Sequence, residues 1–182
     1  MEFVPTSIGD VVLIKPKVYK DDRGFFMESF RKSYFQQQGI HVDFVQDNIS
    51  SSVANTVRGL HYQIENQQAK LLNVPVGKIL DVAVDLRKGS PTFGTSVSAI
   101  LSGENKHQLY IPIGFAHGYA VLEDDTIVTY KCSDYYNPEA ERGLFWDDPD
   151  LNIDWPVIDP IVSEKDQDQP LLNEIPTEDL FE

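Results

Sequence analysis

Ile79-Leu80-Asp81-Val82-Ala83-Val84-Asp85-Leu86 is the stretch that decides the fold. It is short and β-branched, with Val76-Gly77 before it and Lys88-Gly89-Ser90-Pro91 after it. Gly, Ser and Pro at those places are turn chemistry, so the run reads as one strand. Side chains alternate across a strand, which puts Leu80, Val82, Val84 and Leu86 on one face. Ile79, Asp81, Ala83 and Asp85 share the other face. In a two-sheet barrel that second face lines a wet cavity; otherwise it meets solvent or a partner subunit. The alternation alone leaves both readings open.

Runs of the same kind recur on either side. They are Val11–Lys15, Phe25–Phe30, Val42–Ser50, Leu71–Pro75, Thr95–Leu101, Gln108–Ile111, Gly118–Leu122 and Thr126–Tyr130. Asp22-Arg23-Gly24 and Glu123-Asp124-Asp125 supply further turns. Many short strands at this spacing predict a mostly β chain, a sandwich, jelly roll or barrel. Helices are few. Arg31–Gly39 predicts a short helix closed by Gly39, and Pro138–Arg142 a further helical turn. The acidic tail from Ser163, interrupted by Pro170 and Pro176, is expected to wrap the surface irregularly. No linker or repeat divides the chain, so residues 1–182 are expected to form one domain.

The formal net charge is −14. Phosphate-rich surfaces attract basic proteins, so neither nucleic acid nor an anionic membrane is an expected partner. A small nucleotide remains possible, because a local Arg and Lys cluster can hold two phosphates inside an acidic protein. Cys132 is the only cysteine, which excludes an intramolecular disulfide and a cysteine-based zinc site. Met1-Glu2-Phe3-Val4-Pro5 is not a signal-peptide pattern, and no window approaches a membrane span. A cytoplasmic location is the expectation.

Val57-Arg58-Gly59-Leu60-His61-Tyr62-Gln63 is the densest chemistry in the chain. A strand through a plain core needs no Arg, His, Tyr and Gln around one Gly-Leu pair. Of the four histidines, His41 and His107 sit among polar residues and read as solvated. His61 and His117 each lie near a Gly in a strand-like, partly apolar run. Many double-stranded β-helix proteins bind metal through a His-x-His pair, a Glu and a later His. Pro112-x-Gly114-x-x-His117 fits the second half of that pattern, but Gln63 stands where the second His of the pair belongs. Too few strong ligands remain for a transition-metal site, so no metal is expected.

In order along the chain come Asp22-Arg23-Gly24-Phe25-Phe26-Met27-Glu28, Gln46-Asp47-Asn48, Arg58–Gln63, Asp81–Arg87, Ile111–Gly118, Tyr130-Lys131-Cys132, Tyr135-Tyr136 and Ser163–Asp166. With these motifs the chain resembles the dTDP-4-dehydrorhamnose 3,5-epimerases, metal-free members of the cupin (double-stranded β-helix) superfamily. The resemblance covers about Val11 to Pro170. It implies a jelly-roll barrel with a few short helices and no cofactor. It also implies inversion of C3 and C5 of a dTDP-linked 4-keto-6-deoxy sugar, the carbons flanking the C4 ketone. Such chemistry needs a base near neutral pKa, a cation at the developing enolate oxygen and an acid on the opposite ring face.

On this resemblance His61 is the base, Asp166 its orienting carboxylate, Lys70 the cation and Tyr130 the acid. Arg23, Arg58 and Lys165 are implied to contact diphosphate or sugar oxygens. Gln46, Asn48 and Glu28 are implied contacts to nucleoside and diphosphate, with Tyr136 stacked on thymine. His117 and Glu141 complete the implied ligand positions. The resemblance further implies a homodimer in which the Arg23–Glu28 segment reaches the neighbouring site. The link from His61 to Lys70 runs through Glu65-Asn66-Gln67-Gln68 and lacks a proline that some members carry there. The runner-up among enzymes is a relative that epimerises one carbon only or uses another nucleotide sugar. A sugar-binding cupin without activity and a metal-dependent cupin oxygenase are the competing classes. The first needs no opposed acid and base, and Gln63 speaks against the second.

Overall fold

The computed structural model describes residues 1–182. It begins with strands β1 (Glu2–Pro5), β2 (Val12–Lys15), β3 (Val18–Asp21) and β4 (Gly24–Met27), then helix α1 (Lys32–Gln37). Next come β5 (Gln46–Ser52), β6 (Thr56–Gln63), β7 (Lys70–Val76), β8 (Lys78–Asp85) and β9 (Ser96–Ser102). The chain finishes with β10 (Gln108–Ile111), β11 (Phe115–Val121), β12 (Thr126–Cys132), β13 (Glu141–Gly143), β14 (Ile161–Val162) and helix α2 (Glu164–Gln167). Two single turns of 3-10 helix follow, Leu172–Glu174 and Thr177–Asp179.

Two sheets face each other as a jelly-roll barrel. The first has the order β1-β2-β10-β7-β12-β5, and the second β13-β6-β11-β8-β9. β14 adds to β6 in parallel, while the pairings within the two sheets' main order are antiparallel. Strands β3 and β4 form a separate hairpin. Leu72, Val74, Leu109 and Val128 from the first sheet meet Ile79, Ala83, Leu101, Phe115 and Val121 from the second. Burial of these apolar side chains fills the space between the two sheets.

The deciding strand has both faces buried. Ile79 and Ala83 point into the barrel, and Asp81 shares their face. Val82, Val84 and Leu86 point outward but lie under Leu144, Leu151, Ile175 and Phe181. Ile175 and Phe181 belong to the tail, which has only short helical turns and adds an apolar anchor to the expected irregular wrap. Phe181 donates its N–H to the Leu86 carbonyl and accepts from Lys88 N–H, so the chain end docks on the barrel wall. Asp85 ends the strand inside a polar knot, accepting from Arg87, Ser90 and Thr92.

The first sheet is covered on its outer face by the residues around α1. Phe35 is buried with Ile14, Leu71 and Tyr110, and Phe30, Val42 and Phe44 pack on them. Val42 and Phe44 are therefore cover rather than strand, and β5 starts only at Gln46. Gly39 closes α1 at φ +79°, a left-handed conformation that suits glycine. The predicted helical turn at Pro138–Arg142 is a turn only to Ala140, because Glu141–Gly143 pairs with β6 as β13. β11 begins at Phe115, ahead of the expected Gly118. His41 is exposed as expected, but His107 is partly buried, and that burial lowers its pKa. No helix is long and apolar enough to cross a membrane.

Candidate active site

The candidate site is built around one irregularity. His61 of β6 pairs with His117 of β11, yet Arg58 pairs with Tyr119. Three steps on β6 thus match two on β11, a bulge. Strict alternation would send Arg58 and His61 to opposite faces; the bulge lets both line the same cleft. Gly59 sits in the bulge at φ +123°, and a Cβ there would lie 2.5 Å from the Gly118 Cα. A Cβ on Gly118 would lie 2.6 Å from the Arg58 carbonyl oxygen. Only glycine at both places allows the strands to approach this closely.

The cleft has two lobes. One, of about 610 Å³, is lined by Arg58, His61, Lys70, His117, Tyr130, Lys165 and Asp166 among others. The second, of about 310 Å³, is lined by Gln46, Asn48, Gln63, Tyr136 and Glu141. His61, Lys70 and Tyr130 border both, so they mark the junction. His61 comes from the second sheet, while Lys70 on β7 and Tyr130 on β12 come from the first.

His61 Nε2 lies 2.7 Å from Asp166 Oδ1. The other oxygen of Asp166 accepts the Gly59 N–H at 3.1 Å. Asp166 sits in α2, whose start is capped by the Ser163 side chain accepting the Asp166 N–H. Burial alone would raise the Asp166 carboxyl. Hydrogen bonds from His61, Gly59 and Ser163 outweigh it and hold the pKa below the ordinary carboxylate value.

Lys70 is pushed below the usual lysine range by burial, against the pull of Cys132, Asp81 and Glu141. Its ammonium is thus in a partly dry site, where a charge acts strongly on a nearby oxygen. Tyr130 is pushed up to about 12, first by burial and then by Cys132 and Tyr119. It stays protonated at neutral pH and can donate. Glu141 accepts from both Lys165 and the Tyr136 hydroxyl, the latter at 2.8 Å. Those bonds overcome its burial and lower its pKa.

A second His–Asp pair lies one strand away. His117 Nε2 is 2.7 Å from Asp81 Oδ1, with both side chains buried. Burial raises Asp81 and lowers His117, so both are pushed away from the ion pair. The second oxygen of Asp81 has no partner.

The arrangement offers an imidazole held by a carboxylate, a cation and a hydroxyl donor from facing walls of one cleft. That geometry suits proton removal from carbon on one side and proton delivery on the other. No group of three or more His, Cys, Asp or Glu side chains is placed to hold a metal ion. Gln63 instead spends its amide on backbone groups of neighbouring loops.

Residues 5–174 match the family model of dTDP-4-dehydrorhamnose 3,5-epimerase. The chain belongs to that family. The Methanothermobacter thermautotrophicus dTDP-4-dehydrorhamnose 3,5-epimerase is 51% identical over 177 residues, covering 96% of each chain. The Shigella flexneri enzyme of the same name is 51% identical over 168 residues, covering 91% of this chain and 93% of its own. The crystal structure of dTDP-6-deoxy-D-glucose-3,5-epimerase from Legionella pneumophila, in complex with dTDP-4-keto-L-rhamnose, superposes with a TM-score of 0.96. It is 49% identical, over 99% of this chain and 97% of its own. As a member of the epimerase family the protein is an isomerase with a cupin-like jelly-roll fold.

The residues singled out in this epimerase from sequence fall in two groups. His61, Lys70, Tyr130, Asp166, Arg58, His117, Lys165, Gln46, Asn48, Tyr136 and Glu141 all line the cleft. Arg23 and Glu28 do not. Arg23 is in the β3–β4 turn, 90% exposed and bonded to Asp21, and Glu28 pairs with Arg31. Asp81 as the partner of His117 was missed, although the alternation of β8 had put it on the face that a two-sheet barrel would turn to a wet cavity. The Tyr119 hydroxyl, 2.9 Å from Ser50 Oγ, was missed as well, and no local signal marks it.

Proposed function

We propose that the protein converts dTDP-4-dehydro-6-deoxy-D-glucose to dTDP-4-dehydro-L-rhamnose by inverting C3 and C5. The observation that carries this reading is the junction of the two lobes. There His61 on one sheet faces Lys70 and Tyr130 on the other. His61 removes the proton from the carbon next to the C4 ketone. Asp166 holds the imidazole by one nitrogen and stabilises the imidazolium that forms. The electron pair moves to O4, where the Lys70 ammonium offsets the enolate charge. Tyr130 then gives its proton to the opposite face of the carbon. Exchange with solvent returns one proton to Tyr130 and takes one from His61, so the net change is isomerisation only. The same set serves C3 and C5, which lie on either side of the ketone.

Arg58, Lys165 and His117 line the larger lobe and serve the diphosphate and sugar oxygens. Gln46, Asn48, Tyr136 and Glu141 line the smaller lobe and serve the nucleoside, with the exposed Tyr136 ring stacking on the base.

Arg23 and Glu28 act in the cleft of a second copy, and the protein works as a homodimer. Three features support this. The hairpin that ends near Glu28 joins neither large sheet and exposes Phe25, Phe26 and Tyr19. The outer face of the first sheet exposes Ile49 and Val76. On that same face Asn73 Oδ1 and Gln108 Oε1 are buried beside a cavity of about 330 Å³ with no partner. Unpaired buried acceptors are rare, and a donor from a second copy would satisfy them.

Proton NMR of the 4-keto sugar nucleotide in D2O tests the reaction. Deuterium should enter at both C3 and C5, and a product exchanged at one carbon only would make the protein a single-carbon epimerase. Tyr130→Phe should keep exchange at one or both carbons while inversion, at C5 at least, becomes slow. Loss of exchange and inversion together, with nucleotide binding intact, would make Tyr130 a substrate-positioning residue instead.

A further inference from the structure

Gln63 is buried, 5% exposed, and sits on the same face of β6 as His61 two residues before it. Both ends of its amide are committed. Nε2 donates to the carbonyls of Asn66 at 2.7 Å and Tyr135 at 3.2 Å. Oε1 accepts the Asn137 N–H at 3.0 Å. Two of these contacts fall on the residues flanking Tyr136. The Tyr136 N–H itself donates to Gln46 Oε1 at 2.9 Å. Three successive residues of the loop are thus pinned by their backbone, while the Tyr136 side chain stays 53% exposed at the cleft.

We propose that Gln63 is a positioning residue for the nucleotide end of the substrate, fixing the Tyr135–Asn137 loop so that the Tyr136 ring is presented before the ligand arrives. This rests on the reading of Tyr136 as the base-stacking ring. An exposed aromatic on an unpinned loop must lose conformational freedom when it binds, and that loss weakens affinity. A loop fixed in advance avoids it. The clamp needs a donor and an acceptor on one planar group, at this length, inside a buried site. Glutamine supplies both. Glutamate has the length but no donor for the two carbonyls, and methionine has neither. Because the Gln63 amide is spent on the backbone, it takes no part in proton transfer, and its effect belongs to binding rather than chemistry.

The test compares Gln63→Glu and Gln63→Met with the wild type, by calorimetry with dTDP and by steady-state kinetics. Both variants should raise the dTDP Kd and the KM by roughly tenfold, with the loss on KM rather than kcat. In a Tyr136→Ala background, either change should add less than about twofold, because the ring it positions is gone. A fall in kcat at unchanged KM would overturn the proposal. So would equal weakening with and without the Tyr136 ring, which marks a general structural role. If Tyr136→Ala weakens dTDP binding but the Gln63 variants do not, this proposal alone fails. If Tyr136→Ala leaves binding unchanged, the stacking reading fails first. Should the Gln63 variants not fold, amide exchange of the ligand-free wild type decides. The Tyr136 and Asn137 amides should be protected before any nucleotide is added, and fast exchange at Asn137 would sink the clamp.

Discussion

Two His–Asp pairs sit side by side on neighbouring strands, and each closes at 2.7 Å. Their chemistry differs because their surroundings differ. The His61 side chain is 30% exposed and opens on the cleft, whereas His117 is only 7% exposed. Asp166 satisfies its second oxygen with the Gly59 N–H, and its pKa goes down. Asp81 leaves its second oxygen without a partner, and its pKa goes up. The same two residue types at the same distance thus yield one pair that opens on the cleft with a well-anchored carboxylate and one pair in which burial disfavours both charges. Burial and the partner of the second oxygen decide which is which.

The largest effect should come from breaking the first pair. His61→Asn should lower turnover by at least about 10²–10⁴-fold, the usual range for a general base, with the melting temperature little changed. A well-folded His61→Asn protein with near wild-type turnover would shift the base to the buried pair. Lys70 is buried, which disfavours its charge, while Cys132, Asp81 and Glu141 support it. Lys70→Met should cost roughly 10²–10³-fold, mainly in kcat, as for removal of a group at a developing oxyanion. An effect confined to KM would make it a ground-state contact.

Lys70 should also set a pH limit. Its pKa is lowered, so its charge is lost at a pH below the ordinary lysine value as pH rises. The alkaline fall in kcat should therefore begin below that value and should vanish in Lys70→Met. A limb that survives the substitution belongs to another group.

The buried pair predicts a smaller and different loss. Asp81→Ala leaves His117 buried without its partner, which should cost about 1–3 kcal/mol, or several degrees of Tm at roughly 2–4 °C per kcal/mol. Thermal denaturation checks it, beside Asp166→Ala, where turnover should suffer more than stability. The reverse ranking would dissolve the distinction between the pairs. The smallest effect should follow chelation. Exhaustive removal of divalent metal should leave activity unchanged, and loss of turnover restored by one metal would reopen His61 and His117 as ligands.

Much of this was legible along the chain. β10 runs over the predicted Gln108–Ile111, and β8 differs by one residue at each end. Eleven of the residues named from motifs line the cleft. The misses share a cause. Val42 and Phe44 look like strand residues but are recruited to cover the first sheet. The tail is acidic and broken by prolines, yet Ile175 and Phe181 bury against β8. In both places an apolar side chain found a surface that no local pattern announces.

By itself the sequence determined where strands turn, which side chains share a face and which residues bring a base, a hydroxyl or a cation. Those properties depend on near neighbours and on residue chemistry. The resemblance implied that Asp166 orients His61, and the tertiary structure brings the two to 2.7 Å across 105 residues; it alone decided that the Gly59–Gly118 contact sends Arg58 and His61 into one cleft. It also decided that one Asp–His pair is half-open and the other dry. Partner, dielectric and exposure are set by groups distant in the chain, and these are what separate the two pairs.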